Sequence, residues 1–297
     1  MKMNASCAVC MINRQEEAVR ADENEEKKLD FLKEVMQVIC AAKEKDSAPM
    51  LAEKIAAVKE RYYGKDESLL KLKKEYNQIM LAYEKEIQNR IQLAENPMYT
   101  AMLYARTGNY IDFGAVREVS DQKLKELITS VEKESLDAAL FETFCSQLSK
   151  AEKLVYLTDN CGEIVMDKLL ILEIQKKYPQ VHVDVIVRGE NILNDATMAD
   201  AEEVGLTKMV NVTGNGTGIA GTDLDSISQQ AKQKILCADL VISKGQGNFE
   251  SIHGLGLPIY YLFLCKCEWF TRRFQLKQFE GVFIHENDPK LREERYF

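Results

Sequence analysis

The chain has 297 residues, 46% hydrophobic and 29% charged, with a formal net charge of −8. That length buries a sizeable core in one large domain or two, while the acidic balance argues against nucleic-acid or membrane-surface binding, which needs a basic face. No stretch approaches the roughly 18 uninterrupted apolar residues of a membrane span, and Met1 to Arg20 lacks the apolar segment of a signal peptide. The expected location is therefore cytoplasmic. The eight cysteines, irregularly spaced, fit reduced thiols or metal ligands better than a disulfide framework.

In chain order, residues 1–150 read as a helical bundle or cap. Leu29, Leu32, Val35, Met36 and Ile39 recur at helical spacing, as do Leu51, Ile55, Val58 and Tyr62, then Leu69, Leu72, Tyr76, Ile79, Tyr83 and Ile87. Lys and Glu between them form the solvated face. The spacing predicts helices near 25–45, 50–63, 66–93, 121–132 and 135–150, with Pro49 and Pro97 near expected helix ends. Two stretches break this pattern. Cys7-x-x-Cys10 suits zinc or redox chemistry, yet a structural zinc needs about four ligands. The other paired cysteines are Cys265 and Cys267, and free cysteines packed in or near the core are the preferred reading. In the second stretch Gly108 and Gly114 bracket Asn109 and Asp112, which a helix stop with a capping residue explains.

From about residue 151, short β-rich runs alternate with helical ones. Strands are predicted at 153–158, 181–187, 208–213, 239–243 and 258–264, and helices near 162–177, 197–205, 225–237 and 248–255, with Phe283 and Ile284 as a last edge strand. The alternation predicts an α/β fold, a doubly wound, mainly parallel sheet, preceded by an N-terminal helical domain or cap. The expected division is a helical part at 1–150 and a metal- and phosphate-binding α/β part at 151–297.

The polar residues of this half gather just after the strands. Asp159, Asn160 and Glu163 follow the first; Arg188, Gly189, Asn194, Asp195 and Thr197 follow the second; Lys244, Gln246 and Asn248 follow the fourth; Lys266 follows the fifth. Parallel strands share one carboxyl edge, where open α/β sheets bind their ligands, so these groups converge in space. Thr158 to Glu163 sets hard oxygen ligands beside a helix N-terminus that favours anions, a pairing suited to a metal ion holding a phosphate. Singly, each piece has a plainer explanation: Asp195 caps a helix, and Ser243 to Gly247 forms a solvated turn. Their joint placement carries the reading. Gly216-Thr217-Gly218-Ile219-Ala220-Gly221 matches the dinucleotide pattern. It follows the third strand rather than the first, however, and the acidic residue about 20 positions on, Asp239, begins a strand instead of ending one. That loop is read as a flexible rim.

Together Gly108-Asn109-x-Ile111-Asp112-Phe113-Gly114, Thr158-Asp159-Asn160-x-Gly162-Glu163, Arg188-Gly189 with Asn194-Asp195-Ala196-Thr197, Ser243-Lys244-Gly245-x-Gly247-Asn248-Phe249-Glu250 and Lys266-Cys267 resemble the damage-control phosphatase family, once catalogued as domain of unknown function eighty-nine. Cys7-x-x-Cys10 is similar to its prokaryotic branch. The resemblance implies a metal-dependent phosphatase, a hydrolase of phosphate monoesters of small metabolites such as sugar phosphates and damaged or surplus phosphometabolites. Manganese is the expected metal, with cobalt, nickel or magnesium as alternatives. It further implies Asp159, Asn160 and Asp195 as metal ligands, Glu163 beside the metal, and Lys244, Gln246, Asn248 and Lys266 on the phosphate or the rest of the substrate. Asn109 and Asp112 match a motif facing the same cleft, and Arg188 joins the substrate-binding set. Gln246 and Glu250 stand where the eukaryotic branch has Asp and Arg, so contacts there do not transfer.

In this reading Lys244 and Lys266 neutralise phosphoryl charge, and Asp159 or Glu163 orients or deprotonates a water; direct attack by Asp159 is the alternative. Two other classes remain, a carboxyl methyltransferase using S-adenosylmethionine and a non-catalytic phosphometabolite- or metal-binding protein. The expected partner is a small phosphorylated metabolite, with neither nucleic acid nor membrane, and the sequence leaves the oligomeric state open.

Overall fold

The computed structural model describes residues 3–110 and 121–292. The helical half contains α1 (Ala5–Val19), α2 (Glu25–Cys40), α3 (Ala48–Tyr63), α4 (Glu67–Leu93), α5 (Pro97–Gly108), α6 (Asp121–Ser130) and α7 (Ala138–Leu148). The second half runs β1 (Lys153–Leu157), α8 (Glu163–Lys177), β2 (His182–Val187), α9 (Met198–Glu203), β3 (Asn211–Gly214), α10 (Gln229–Leu236), β4 (Leu240–Lys244), α11 (Gly245–Ile252), β5 (Ile259–Leu264), α12 (Glu268–Phe274), β6 (Gly281–His285) and α13 (Pro289–Arg292). The expected α/β class and all six strands are present, and the order is β3-β2-β1-β4-β5-β6. The first five strands pair in parallel and β6 closes the edge antiparallel to β5. The order reverses between β1 and β4, which makes their carboxyl ends the topological switch point where such sheets bind ligands.

Successive strand residues face opposite sides, and here both sides are covered. Leu154, Tyr156, Val183, Val185, Val187, Leu240, Ile242, Tyr260 and Leu262 face one core with α4, α5, α7 and α8. Val155, Leu157, Ile186, Val241, Ile259, Tyr261 and Phe263 face the other, with α10, α11 and α12. Burial on two faces explains why these strands read as continuous apolar runs. The first core crosses residue 150 without a break, so the helices α4, α5 and α7 form one layer of the α/β sandwich. A smaller cluster around Phe31, Val35, Ile55 and Val58 holds α1 to α3 together.

Four helices are absent from the sequence expectation: α1, α5, α12 and α13. α1 contains both Cys7 and Cys10, which the pattern had set apart from plain helix; Asn4 caps it by accepting the N–H of Cys7. α5 is buried at nine of its positions, from Met98 to Gly108, so its apolar residues show no helical stripe to detect. Among the described residues no helix is long and apolar enough to cross a membrane.

Candidate active site

β1 ends in a loop that must turn sharply into α8. Gly162 makes that turn at φ +70°, a region open to glycine, and the turn leaves Asp159 and Asn160 pointing into the switch-point crevice with Glu163 beneath them. All three are buried. The loop after β2 lies against it: Asn160 and Asp195 form an antiparallel bridge, the N–H of Ala196 donates to Asp159 O at 2.7 Å, and that of Cys161 to Asn194 O at 2.8 Å. Asn194 also donates from Nδ2 to Asn160 Oδ1 at 2.8 Å. Two sequence-distant loops are thus knitted into one platform that holds Asp159, Asn160 and Asp195, the three expected metal ligands, together.

The platform is wired from below. Asn109, fully buried after α5, donates from Nδ2 to Asp159 Oδ2 at 2.9 Å and to Glu163 Oε2 at 3.0 Å, while its Oδ1 accepts the N–H of Leu264. Asn160 Nδ2 donates to the same two carboxylates, at 2.8 and 2.7 Å. Asp112, its expected companion, lies outside the described residues. The helical layer therefore reaches the site through Asn109.

Arg188 is 1% exposed. Its Nε donates to Asp195 Oδ2 at 2.6 Å, and Nη1 to Gly221 O at 2.9 Å and Asn248 Oδ1 at 3.0 Å. Nη2 stands 3.8 Å from Asp159 Oδ1, beyond hydrogen-bond distance, and among the described residues it has no hydrogen-bond acceptor although it is buried. An unsatisfied N–H of a buried cation is expensive to leave so, and this one belongs to the guanidinium that pairs Asp195 through Nε and approaches Asp159.

Lys244 differs from the sequence expectation. It is fully buried, and Nζ donates to Glu163 Oε1 and Asp167 Oδ1, each at 2.6 Å, and to Ala105 O at 2.7 Å. An ammonium has three N–H bonds, so none is left here for a phosphoryl oxygen: Lys244 supports the carboxylates from behind. Asn248 is likewise committed, donating to Thr158 O and Lys244 O and accepting from Arg188 and Thr222. Gln246 accepts the backbone N–H of Lys266 at 2.8 Å, tying the loop after β4 to the one after β5. The Lys266 side chain is near enough to oppose the rise in the Asp159 pKa.

The electrostatics follow from this crowding. Burial, then the Asp195 and Glu163 carboxylates, push Asp159 up to about 8. Burial also raises Asp167 to about 6 against the pull of Lys244. Burial works against the charge of Lys244, but Asp167 and Glu163 outweigh it and raise its pKa. A divalent cation would relieve the repulsion among Asp159, Asp195 and Glu163, and the two aspartates with the Asn160 amide oxygen are of the hard donor type that would suit one.

The Gly216 to Gly221 loop is not the rim expected of it. It folds under Arg188, whose Nη1 holds Gly221 O, and Asn215 and Thr222 at its ends are fully buried. The cysteines are all free, with Cys7 half-buried and Cys10 exposed. Among the described residues no group of three or more His, Cys, Asp or Glu side chains is arranged to hold a metal.

Sequence reasoning missed four contributors. Asp167 accepts from Lys244 and from Tyr156 OH at 2.6 Å; Lys73 and Asn77 of α4 meet Asp200 of α9 at 2.8 and 2.9 Å. The signal was present for Lys73 and Asn77, polar residues spaced one turn apart beside the stripe of Tyr76, Met80 and Ile87.

Comparison with known proteins follows the same lines. The damage-control phosphatase ARMT1-like domain matches residues 3–282. An uncharacterized protein of Methanocaldococcus jannaschii is 30% identical over 282 residues, 90% of each chain. A damage-control phosphatase of Archaeoglobus fulgidus is 28% identical, covering 92% of this chain and 95% of its own, and one of Pyrococcus horikoshii is 27% identical over 96% and 97%. The crystal structure of a family member from Pyrococcus horikoshii, assigned there to domain of unknown function eighty-nine, superposes with a TM-score of 0.81 at 25% identity, covering 96% of this chain and 99% of that one.

Proposed function

The chain belongs to the damage-control phosphatase ARMT1-like domain family, and from that premise we propose that it is a metal-dependent phosphatase hydrolysing phosphate monoesters of small metabolites, either sugar phosphates or damaged or surplus phosphometabolites. Two relatives named damage-control phosphatase support the phosphatase part. The observation that carries the rest is the buried Arg188, which pairs Asp195 through Nε while its Nη2, 3.8 Å from Asp159 Oδ1, has no acceptor among the described residues. Two buried carboxylates call for a cation, and a buried guanidinium N–H without an acceptor calls for an anion; a metal with a phosphoryl group answers both.

In this proposal Asp159, Asn160 and Asp195 hold the cation, manganese foremost, with cobalt, nickel or magnesium as alternatives. When bound, it supplies a Lewis acid for the phosphoryl group. Arg188 Nη2 takes a phosphoryl oxygen, and Lys266 adds positive charge from the β5 side, meeting the main electrostatic demand of phosphoryl transfer. Asn109 and Asn160 fix Asp159 and Glu163 by donated N–H bonds. Lys244 holds Glu163 and Asp167 in place through its two ion pairs, so the pocket presents oriented carboxylates to the attacking group.

The test is phosphate release by metal-stripped protein on p-nitrophenyl phosphate and a panel of sugar phosphates, with Mn, Co, Ni or Mg restored and Asp159→Asn in parallel. Turnover that returns with one metal and is absent in the variant supports the proposal. A folded protein that binds metal and turns over nothing on the panel rejects it in favour of a binding role.

A further inference from the structure

Asn77 lies on the 27-residue helix α4, in the helical layer, yet its amide is fully buried against both loops of the site. Its Oδ1 accepts the N–H of Gly162 at 2.7 Å, the residue that turns the Asp159 loop into α8. Its Nδ2 donates to Asp200 Oδ1 and to Glu203 Oε2, each at 2.9 Å. Asp200 in turn accepts from Thr197 N at 2.8 Å and Thr197 Oγ1 at 2.7 Å, closing the capping box that starts α9 two residues after Asp195. Lys73, one helical turn earlier than Asn77, pairs with Asp200 Oδ2 at 2.8 Å and donates to Asn191 Oδ1 at 3.2 Å, in the same loop as Asp195.

One side chain from α4 thus clamps the backbone beside Asp159 and Asn160 to the helix start beside Asp195. The direct ties between those loops include backbone bonds, the Asn194–Asn160 amide contact and the Arg188–Asp159 ion pair; Asn77 adds an anchor outside both loops, on the long helix α4. A group that orients ligands in this way governs metal affinity although it touches no metal. We propose that Asn77 is a positioning residue that sets the separation of Asp159 and Asp195, and that α4 is thereby part of the metal site. The proposal rests on the metal-dependent reading above. Its chemistry is an amide used as acceptor on one loop and donor on the other, which neither a hydroxyl nor a methyl at this position reproduces.

The test uses metal-stripped wild type, Asn77→Ala and the milder Asn77→Ser. Each is titrated calorimetrically with Mn alone, melted in chelator, and assayed for phosphate release across a range of Mn concentrations. Loss of an outer orienting contact weakens metal binding by about 10- to 100-fold, and that rise in Kd is expected for both variants, with the metal concentration for half-activity rising in step and kcat at saturating Mn less affected. A folded variant that melts lower but binds Mn as wild type does has lost packing only, and overturns the proposal while leaving the phosphatase reading intact. A wild-type protein that binds none of Mn, Co, Ni or Mg overturns both.

Discussion

Lys244 Nζ and Glu163 Oε1 stand 2.6 Å apart at the centre of the molecule, with neither side chain exposed to solvent. Two charges so placed gain from each other only while both remain, because the desolvation of each is offset by the other. Lys244→Met leaves Glu163 and Asp167 as uncompensated buried carboxylates. The expected loss is about 3–5 kcal/mol of folding stability, read by denaturant unfolding of the metal-free protein, and Glu163→Gln in the same chain recovers part of it. A Lys244→Met protein as stable as wild type, with only a raised KM, would return Lys244 to the phosphate.

Gly245 starts α11 at φ +76°, and a Cβ there collides with the Asp159 carboxylate. Both the backbone conformation and the space exclude a side chain. Gly245→Ala therefore displaces Asp159 while leaving the sheet in place. Misplacement of reacting groups by about 1 Å reduces rates roughly 100-fold, and kcat/KM is expected to drop by about that factor with an unchanged circular dichroism spectrum. Full activity in Gly245→Ala would show that Asp159 is not held where the chemistry needs it.

The sheet was legible because its strands are apolar on both faces and its turns are polar, so period and punctuation agree. The loop residues were legible as a set because parallel strands bring their carboxyl ends together. What escaped was of two kinds. α5 has no amphipathic pattern, since it is enclosed by α8, α4 and β5, and burial on all sides erases the stripe by which a helix is recognised. The roles of Lys244 and Asn248 escaped because residue type fixes what a group donates and not where: a lysine after a strand suits a phosphate, but partners as distant in sequence as Ala105 and Asp167 had already taken its N–H bonds.

Arg188 illustrates the limit of charge alone. Its fork is used by Asp195 on Nε and by Gly221 and Asn248 on Nη1, while Nη2 has no acceptor among the described residues. An ammonium cannot reproduce that plane. Arg188→Lys keeps the charge and loses the geometry, and a hydrogen bond to a charged group contributes about 1.5–3 kcal/mol. The expected result is a fall in kcat/KM of about 10- to 100-fold, together with weaker inhibition by inorganic phosphate. Inhibition unchanged in the variant would remove Arg188 from the phosphate site.

Asp159 makes the site answer to pH. Its carboxyl is raised from 3.8 to about 8, by burial first and then by Asp195 and Glu163. Between those values the folded metal-free protein holds a proton that the unfolded chain has released, so folding stability falls as pH rises through that window. Asp159→Asn, neutral and of the same shape, removes this contribution. Relative to wild type the variant is expected to melt higher at pH 8 than at pH 5, by at least about 2 °C, the shift that roughly 1 kcal/mol produces in a domain of this size. The same proton opposes the metal, because a ligand carboxylate must be ionised. Binding of Mn at pH 7 is expected to release about one proton, measured by calorimetry in two buffers of different ionisation enthalpy, and the apparent Mn affinity is expected to rise with pH and level off above about 8. Binding without proton release at pH 7 would mean that Asp159 is already ionised in the metal-free protein, and that Arg188 and Lys266 outweigh burial in setting its charge.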